Sequence, residues 1–179
     1  MGRVFNGTTP NLNWAVNMLN RSNQGILDSI GGIIAGGGSI ATNEKVEAAC
    51  QWLINKATNN YITYSQTNRN LKNPNGMSYD CSSFIITGFY AVGWNINASA
   101  TSNMRMGFTS AGFVWIPGTV FPAEVCRRGD ILLKESNHTQ MYIGDNQDVN
   151  CGSTPAMVQP HSDDNYGRGW DGILRYQGT

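Results

Sequence analysis

The spacing of apolar residues predicts two helices in the first half of the chain. Thr42 or Asn43 can cap a helix that ends near Thr58, because apolar residues recur there at helical spacing. A second helix is predicted over residues 81–92, and the Asn-Pro and Asn-Gly dipeptides in residues 66–78 are typical of turns. The apolar face of the first helix is formed by Val46, Ala49, Cys50, Leu53, Ile54 and Ala57.

The pattern changes in the second half, where short apolar runs alternate with Gly, Asp, Asn and Pro. Such runs are typical of strands separated by tight turns. A chain with helices first and strands afterwards is predicted to fold as an α+β domain with an antiparallel sheet. The predicted strands are Phe113–Ile116, Asp130–Lys134, His138–Ile143, Asp148–Cys151, Met157–Gln159 and Gly172–Tyr176.

The N-terminal segment, residues 1–42, differs from the remainder, residues 43–179. Residues 11–23 could form one helix with Leu12, Ala15, Val16 and Leu19 on one face. Residues 26–40 are apolar but rich in glycine, which weakens a helix. We expect either a flexible linker or a segment that docks on a partner chain, and docking is favoured because exposed apolar patches usually mark interfaces.

Composition narrows the function classes. Charged residues make up 13% of the chain and the net charge is zero, so no long-range field would attract phosphates, and neither nucleic acid nor an anionic membrane is expected as a partner. No run is long and apolar enough for stable membrane insertion, and residues 1–10 are not expected to form a secretory signal.

The four cysteines are expected to be free thiols. They form no Cys-x-x-Cys pair, and with two histidines in the chain a zinc site is poorly supplied. A domain of this size does not need a disulfide framework. We therefore expect neither a metal nor a cofactor.

Cys81 is the candidate nucleophile. Asp80 is a good N-cap, so Cys81 falls at the first helical position, where unpaired N–H groups and the helix dipole should lower the pKa of the thiol. The charge of Asp80 opposes this effect, and we expect the dipole and a histidine partner to outweigh it. The alternative, which the chain position supports about equally, is a buried structural thiol.

His138 is the candidate base for this thiol. It opens a predicted strand in which His138, Gln140 and Tyr142 share one face. A third polar group should orient its ring, and Asp148 and Asn150 on the next strand are both candidates. The alternative is a surface histidine at a strand edge. His161 follows Pro160 and is expected to be solvated.

Together these segments resemble the NlpC/P60 superfamily of papain-like cell-wall hydrolases, and within it the bacteriophage peptidoglycan hydrolases. Residues 79–84 resemble the family's Asp-Cys-Ser nucleophile motif, and residues 128–132 resemble its Gly-Asp turn into the central strand. Residues 138–144 are similar to its histidine strand, residues 147–152 to the strand after it, and residues 170–175 to the closing strand of phage members. The resemblance covers about residues 43–176.

The resemblance implies a papain-like fold in which the helix that bears the nucleophile packs on a central antiparallel sheet. It implies Cys81, His138 and Asn150 as catalytic residues. Tyr64 and Ser82 are implied in the oxyanion or substrate-binding region. Gln140 replaces a residue that is usually small, and is expected to reshape the cleft or contact substrate.

The implied function is hydrolysis of the peptidoglycan stem peptide by a cysteine endopeptidase or an N-acetylmuramoyl-L-alanine amidase. The enzyme would act when a phage enters or lyses its host, either as a tail-associated virion protein or from the host cytoplasm. Residues 1–42 would then dock on a virion or tail partner. The main alternative is a structural virion component that keeps the fold with weak or no activity, and another is a thiol acyltransferase or a peptidase with a different substrate.

Overall fold

The structure is a computed structural model that describes residues 42–177. The predicted N-terminal helix and docking segment therefore lie outside the described residues. The described part contains three helices, α1 (Thr42–Asn59), α2 (Cys81–Ala91) and α3 (Thr101–Ser110). The strands are β1 (Thr63–Tyr64), β2 (Ser78–Tyr79), β3 (Phe113–Pro117), β4 (Ile131–Lys134), β5 (His138–Gly144), β6 (Gln147–Asn150), β7 (Met157–Pro160) and β8 (Gly172–Tyr176).

Six of the strands form one antiparallel sheet in the order β3-β8-β4-β5-β6-β7. The prediction of an α+β fold with an antiparallel sheet is confirmed. The four strands β4 to β7 follow one another in sequence and in space, while β8 returns to lie between β3 and β4. The short strands β1 and β2 pair in parallel beside the start of α2.

The two faces of the sheet pack against different cores. Neighbouring residues along a strand alternate between them: Ile131 and Leu133 join the core beneath the helices, whereas Leu132 joins a second core. The second core contains Phe121, Leu132, Tyr142, Trp170 and Ile173. Helix α2 is buried from Cys81 to Phe89 and Cys50 is buried on α1, so both predicted helices pack as expected.

The sequence did not predict α3, β1 or β2. In α3, Met104, Gly107 and Phe108 are buried while the apolar Met106 is exposed, so the apolar residues of this short helix do not mark one clear face. Gly107 packs so closely on the preceding loop that a Cβ there would lie 2.5 Å from the Asn97 carbonyl oxygen. Tertiary contacts therefore determine this helix. No helix of residues 42–177 has the length and apolar character needed to cross a bilayer.

The Gly-Asp turn fixes the start of β4. The Asp130 carboxylate is 1% exposed and accepts two hydrogen bonds from Arg175, at 2.9 and 2.6 Å, and one from the Arg127 N–H at 2.7 Å. Gly129 precedes it with φ +93°, and a Cβ there would lie 2.3 Å from Val46 Cγ1 on α1. The turn therefore requires glycine both for its backbone conformation and for its contact with α1.

We predict that Gly129→Ala destabilises the domain more than Gly144→Ala. Both glycines have positive φ, but a Cβ at Gly144 would meet nothing within 4 Å. Gly144→Ala should lower the free energy of unfolding by about 1–2 kcal/mol through backbone strain, and Gly129→Ala by about 2–4 kcal/mol because a steric clash adds to it. Urea unfolding monitored by tryptophan fluorescence measures both values. Equal losses would show that the contact with α1 contributes nothing.

Candidate active site

The N-terminus of α2 is held by the Asp80 side chain, as the sequence predicts. Asp80 Oδ1 accepts the Ser83 N–H at 2.7 Å, and the Ser83 hydroxyl oxygen accepts the Asp80 N–H at 2.9 Å, which together form a capping box. Arg69 Nη1 lies 2.6 Å from Asp80 Oδ2. Burial raises the pKa of Asp80, but hydrogen bonds from Ser83, Arg69 and Ser82 outweigh it and hold the pKa below its ordinary value. Asp80 is therefore ionised at neutral pH.

Cys81 is the first residue of α2, and its side chain is directed into the protein. The residue is 7% exposed, and its sulfur contacts the backbone N–H of Thr139, the residue that follows His138 in β5. The N-terminal tip of α2 therefore lies against the start of β5.

Burial raises the pKa of the Cys81 thiol above its ordinary value, and the charge of Asp80 adds to the rise. The N–H groups of Thr139, Ser82 and Cys81 itself lower the pKa by less. The expectation of a lowered pKa is therefore wrong. The sequence indicates the favourable N–H groups, but it does not reveal how completely the sulfur is removed from water, and desolvation disfavours the thiolate.

The His138 ring lies at the start of β5 beside Trp170 and Asn150. It stacks on Trp170 with ring centroids 6.1 Å apart and planes inclined by 24°. A Cβ at Gly152 would lie 3.0 Å from His138 Cε1 and 3.2 Å from Asn150 Oδ1, so the ring and the amide meet at this glycine. Burial lowers the pKa of His138, the charge of Arg168 lowers it further, and Gln140 opposes both.

His138 and Asn150 line the same cleft, which has a volume of about 270 Å³. Cys81 approaches the same strand one residue further along, at the Thr139 N–H. The other residues that line the cleft are Gly152, Ser153, Gln159, Asn165, Tyr166 and Arg168.

Of the residues predicted to bind the oxyanion or substrate, Tyr64 lies near the sulfur. Burial raises the pKa of the Tyr64 hydroxyl, and the charge of a Cys81 thiolate raises it further. Ser82 is almost fully buried, and its hydroxyl donates to Asp80 Oδ1 at 2.9 Å, so it supports the helix cap.

Gln140 lies behind the cleft, not in its wall. Its side chain is 0% exposed, and Nε2 donates to Asp148 Oδ2 at 2.6 Å. The expected contact with substrate is therefore not available to Gln140 in this structure. Its length places the amide in the buried space next to β6, where a small residue would leave a gap.

His161 is also buried, so the expectation that it is solvated is wrong. Its side chain is 2% exposed, Nδ1 lies 2.8 Å from Asp148 Oδ2, and Nε2 lies 2.7 Å from the Phe121 carbonyl oxygen. The ring packs edge-on against Tyr142. The segment after β7 folds back over the second core, where the Trp170 indole N–H donates to the Ser162 carbonyl oxygen at 3.1 Å. No local pattern in the sequence indicates this fold-back.

Asp148 lies between Gln140 and His161 and forms a hydrogen bond with each. Burial raises its pKa to about 6, although hydrogen bonds from His161, Ser162 and Gln140 lower it. Because His161 Nε2 faces a carbonyl oxygen, one proton is shared in the bond between His161 Nδ1 and the Asp148 carboxylate. Within residues 42–177, no three His, Cys, Asp or Glu side chains are arranged to hold a metal ion.

The side chains of Cys151 and Cys126 do not line the cleft. Cys151 follows Asn150 and points to the opposite face of the sheet, as predicted, where it is fully buried and donates to the Tyr79 carbonyl oxygen at 3.4 Å. Cys126 is half-buried beside the second core.

No family model matches this chain, and no curated protein matches it. The chain is, however, similar to several solved structures. The P60 domain of an antigen from M. avium subspecies paratuberculosis is 20% identical with a TM-score of 0.53, and the match covers 75% of this chain and 98% of that one. The peptidoglycan hydrolase RipB from Mycobacterium tuberculosis is 17% identical with a TM-score of 0.56, covering 97% and 92%.

A hypothetical invasion protein of Mycobacterium tuberculosis is 19% identical with a TM-score of 0.52, and the match covers 73% of this chain and 63% of that one. The chain thus spans less than two thirds of that structure. These likenesses show that the chain has the α+β fold of NlpC/P60 domains. The candidate site, with Cys81 at the N-terminus of a buried helix, therefore lies in a domain that has the NlpC/P60 fold.

We predict that Asp80→Asn lowers the pKa of Cys81. Asparagine caps a helix about as well as aspartate, so α2 should keep its start while the negative charge that raises the thiol pKa is removed. The measurement is the pH dependence of alkylation of the Cys81 peptide by iodoacetamide, followed by mass spectrometry. Asp145→Asn, in an exposed turn, is the control and should leave the profile unchanged. An unaltered profile in Asp80→Asn would contradict the electrostatic assignment.

We predict that Arg168→Gln raises the pKa of His138, because the Arg168 charge disfavours the imidazolium. The ring should therefore become protonated at a higher pH than in the wild type. An NMR pH titration of the histidine ring protons measures the shift. Arg105→Gln is the matched control, because Arg105 lies over the Trp115 ring, 4.7 Å from its centroid. A titration curve that does not move in Arg168→Gln would contradict the prediction.

Proposed function

We propose that this chain is a cysteine hydrolase that cuts amide bonds in bacterial peptidoglycan, with Cys81 as nucleophile and His138 as general base. One observation carries the proposal. The sulfur at the first position of buried helix α2 contacts the backbone immediately after His138, and it does so in the fold of NlpC/P60 domains. Peptidoglycan is proposed as the substrate because RipB, which shares this fold, is a peptidoglycan hydrolase.

In this proposal, Cys81 is a neutral thiol and His138 is a neutral imidazole before the reaction begins. Burial raises the pKa of Cys81 and lowers that of His138, so a thiol and a neutral imidazole are favoured over an ion pair. The proton then moves from sulfur to His138 as the sulfur attacks the amide carbonyl. A neutral imidazole is the form that can accept this proton.

The remaining steps use the same groups. The Cys81 N–H and the Tyr64 hydroxyl donate to the oxyanion, and one such donor typically contributes about 3 kcal/mol. The C–N bond breaks as His138 returns its proton to the leaving amine. Water then gives one proton to His138 and adds its oxygen to the acyl carbon, and the C–S bond breaks as His138 returns that proton to the sulfur. Asn150 borders the ring at Gly152 and limits its rotation.

We propose two candidates for the bond that is cut. A cysteine endopeptidase and an N-acetylmuramoyl-L-alanine amidase would release different fragments of the stem peptide, which mass analysis of digested walls separates.

A bacteriophage origin, with action from the virion tail or the host cytoplasm, rests on the resemblance of residues 170–175 to the closing strand of phage members. Analysis of particle composition distinguishes a virion component from a lysis enzyme that accumulates late in infected cells.

A second candidate function is a structural virion or tail component that keeps the fold with weak or no activity. The raised pKa and 7% exposure of Cys81 favour it, because both reduce the reactivity of the sulfur. A component of this kind would copurify with virions and would release no fragments from purified walls. An enzyme would release fragments whether or not it is part of the particle.

We predict that Cys81→Ala lowers the rate of wall clearing at least about 10³-fold, because the proposed acyl-enzyme forms on the Cys81 sulfur. The fold should persist, since Cys81 lies at the end of α2. Turbidity of purified peptidoglycan measures the rate, and circular dichroism checks the fold. Cys126→Ala is the matched control, because this thiol lies beside the second core, and it should retain activity. Full activity in Cys81→Ala would exclude the proposed mechanism.

A further inference from the structure

A chain of buried polar groups runs behind the cleft from His161 toward the strand that bears His138. His161 Nδ1 lies 2.8 Å from Asp148 Oδ2, and Gln140 Nε2 donates to the same oxygen at 2.6 Å. Gln140 in turn lies on the face of β5 that bears His138, two residues away. The hydrogen bonds therefore run from His161 through Asp148 to Gln140, and Gln140 ends them on the face of β5 that bears His138.

Asp148 determines which way the Gln140 amide points. Its carboxylate accepts hydrogen bonds from the Ser162 N–H at 2.9 Å and from Gln140 Nε2. A carboxylate that accepts in this way requires the NH₂ group of the glutamine to face it, so the orientation of the amide follows from chemistry. Gln140 Oε1 must then point away from Asp148.

Gln140 Oε1 is a buried acceptor on the side of the amide that faces away from Asp148. Within residues 42–177 it has no hydrogen-bond partner at ordinary distance. Its electrostatic effect is to raise the pKa of His138, which is the effect of an acceptor near the ring N–H. In a free enzyme such bonds are often long and shorten when substrate binds. Asn150 Oδ1, by contrast, already accepts the Gly152 N–H at 2.9 Å.

We propose that Gln140 is the positioning residue for His138: its Oε1 accepts the ring N–H that does not face Cys81, and the Asp148–His161 pair holds the amide in place. This role rests on the proposed function of His138 as general base. It differs from the substrate contact expected from the sequence, because Gln140 is buried and acts through His138.

The chemistry of the base explains the need for such a residue. A neutral imidazole has two tautomers, and only the one with an unprotonated nitrogen facing the thiol can accept its proton. An acceptor on the opposite side selects that tautomer and stabilises the imidazolium that forms. A neutral amide oxygen stabilises the cation less than a carboxylate would, which keeps His138 in its basic form at neutral pH.

The first test is the tautomer of His138 in the full-length wild-type protein. The chain has two histidines, so ¹⁵N spectra of histidine-labelled protein can be assigned with one His161→Gln sample. We expect a single dominant tautomer for His138, protonated on one nitrogen. Comparable populations of both tautomers would overturn the proposal, and this measurement needs no variant at Gln140 to fold.

The second test compares Gln140→Leu with Gln51→Leu, which removes the amide of a partly buried glutamine on α1 that donates to Asn55. Gln140→Leu should lower the pKa of His138, mix its tautomers, and reduce kcat about ten- to hundredfold with little change in KM. Gln51→Leu should change none of these quantities.

Asp148→Asn supplies a second variant. This substitution allows the side-chain amide of Gln140 to flip, because an asparagine at position 148 can donate as well as accept a hydrogen bond. It should therefore mix the His138 tautomers with Gln140 still present. Unchanged tautomers and kcat in both Gln140→Leu and Asp148→Asn would overturn the proposal, as would an Asn150→Ala variant that alone mixes the tautomers.

Failure of the proposed function gives a different result. Wild-type protein that does not cut peptidoglycan would remove the general-base role, while the spectra would still report whether Gln140 orients His138. Conversely, an active wild type with an unchanged Gln140→Leu variant would leave the hydrolase proposal standing and exclude Gln140 alone.

Discussion

The contact between the tip of α2 and the start of β5 is the interaction on which the site depends. Asp80 closes the helix end, and the following residue, Cys81, then contacts the Thr139 N–H on the central sheet. The cap fixes where the helix begins, and packing of α2 against the sheet fixes how far the sulfur projects. If the helix started one residue later, Cys81 would fall at the cap position and would lose its helical backbone geometry. The capping box therefore fixes the position of the sulfur as well as stabilising the helix.

Burial at this contact controls the chemistry of the site. The same exclusion of water that raises the pKa of Cys81 lowers the pKa of His138, so both groups are driven toward their neutral forms. An exposed cysteine–histidine pair could rest as thiolate and imidazolium, whereas this pair would form charge mainly during attack. In the proposed reaction, the transition state would depend on donors that are already in place, such as the backbone N–H groups around the sulfur.

The second face of the sheet contributes to the site although it does not contact the sulfur. The segment after β7 folds over this face, stacks Trp170 on the His138 ring and buries His161 against Asp148. The same loop thus supplies an apolar wall for the His138 ring, a charge at Arg168 that lowers the pKa of His138, and the His161 ring that bonds to Asp148. This arrangement explains how a large residue is accommodated at Gln140, because its amide is bonded within the buried polar layer.

The sequence by itself determined the helices α1 and α2, the six strands of the sheet, the cap at Asp80 and the placement of Cys81 and His138 at the starts of their elements. These features depend on local periodicity and on capping and turn chemistry, which are encoded in neighbouring residues. Helix α3, the burial of Cys81 and the positions of Gln140 and His161 were decided by the tertiary structure. Each of these features depends on segments that are distant in the chain and that exclude water or supply a hydrogen-bond partner. The spacing of residues along the chain does not indicate which distant segments come together.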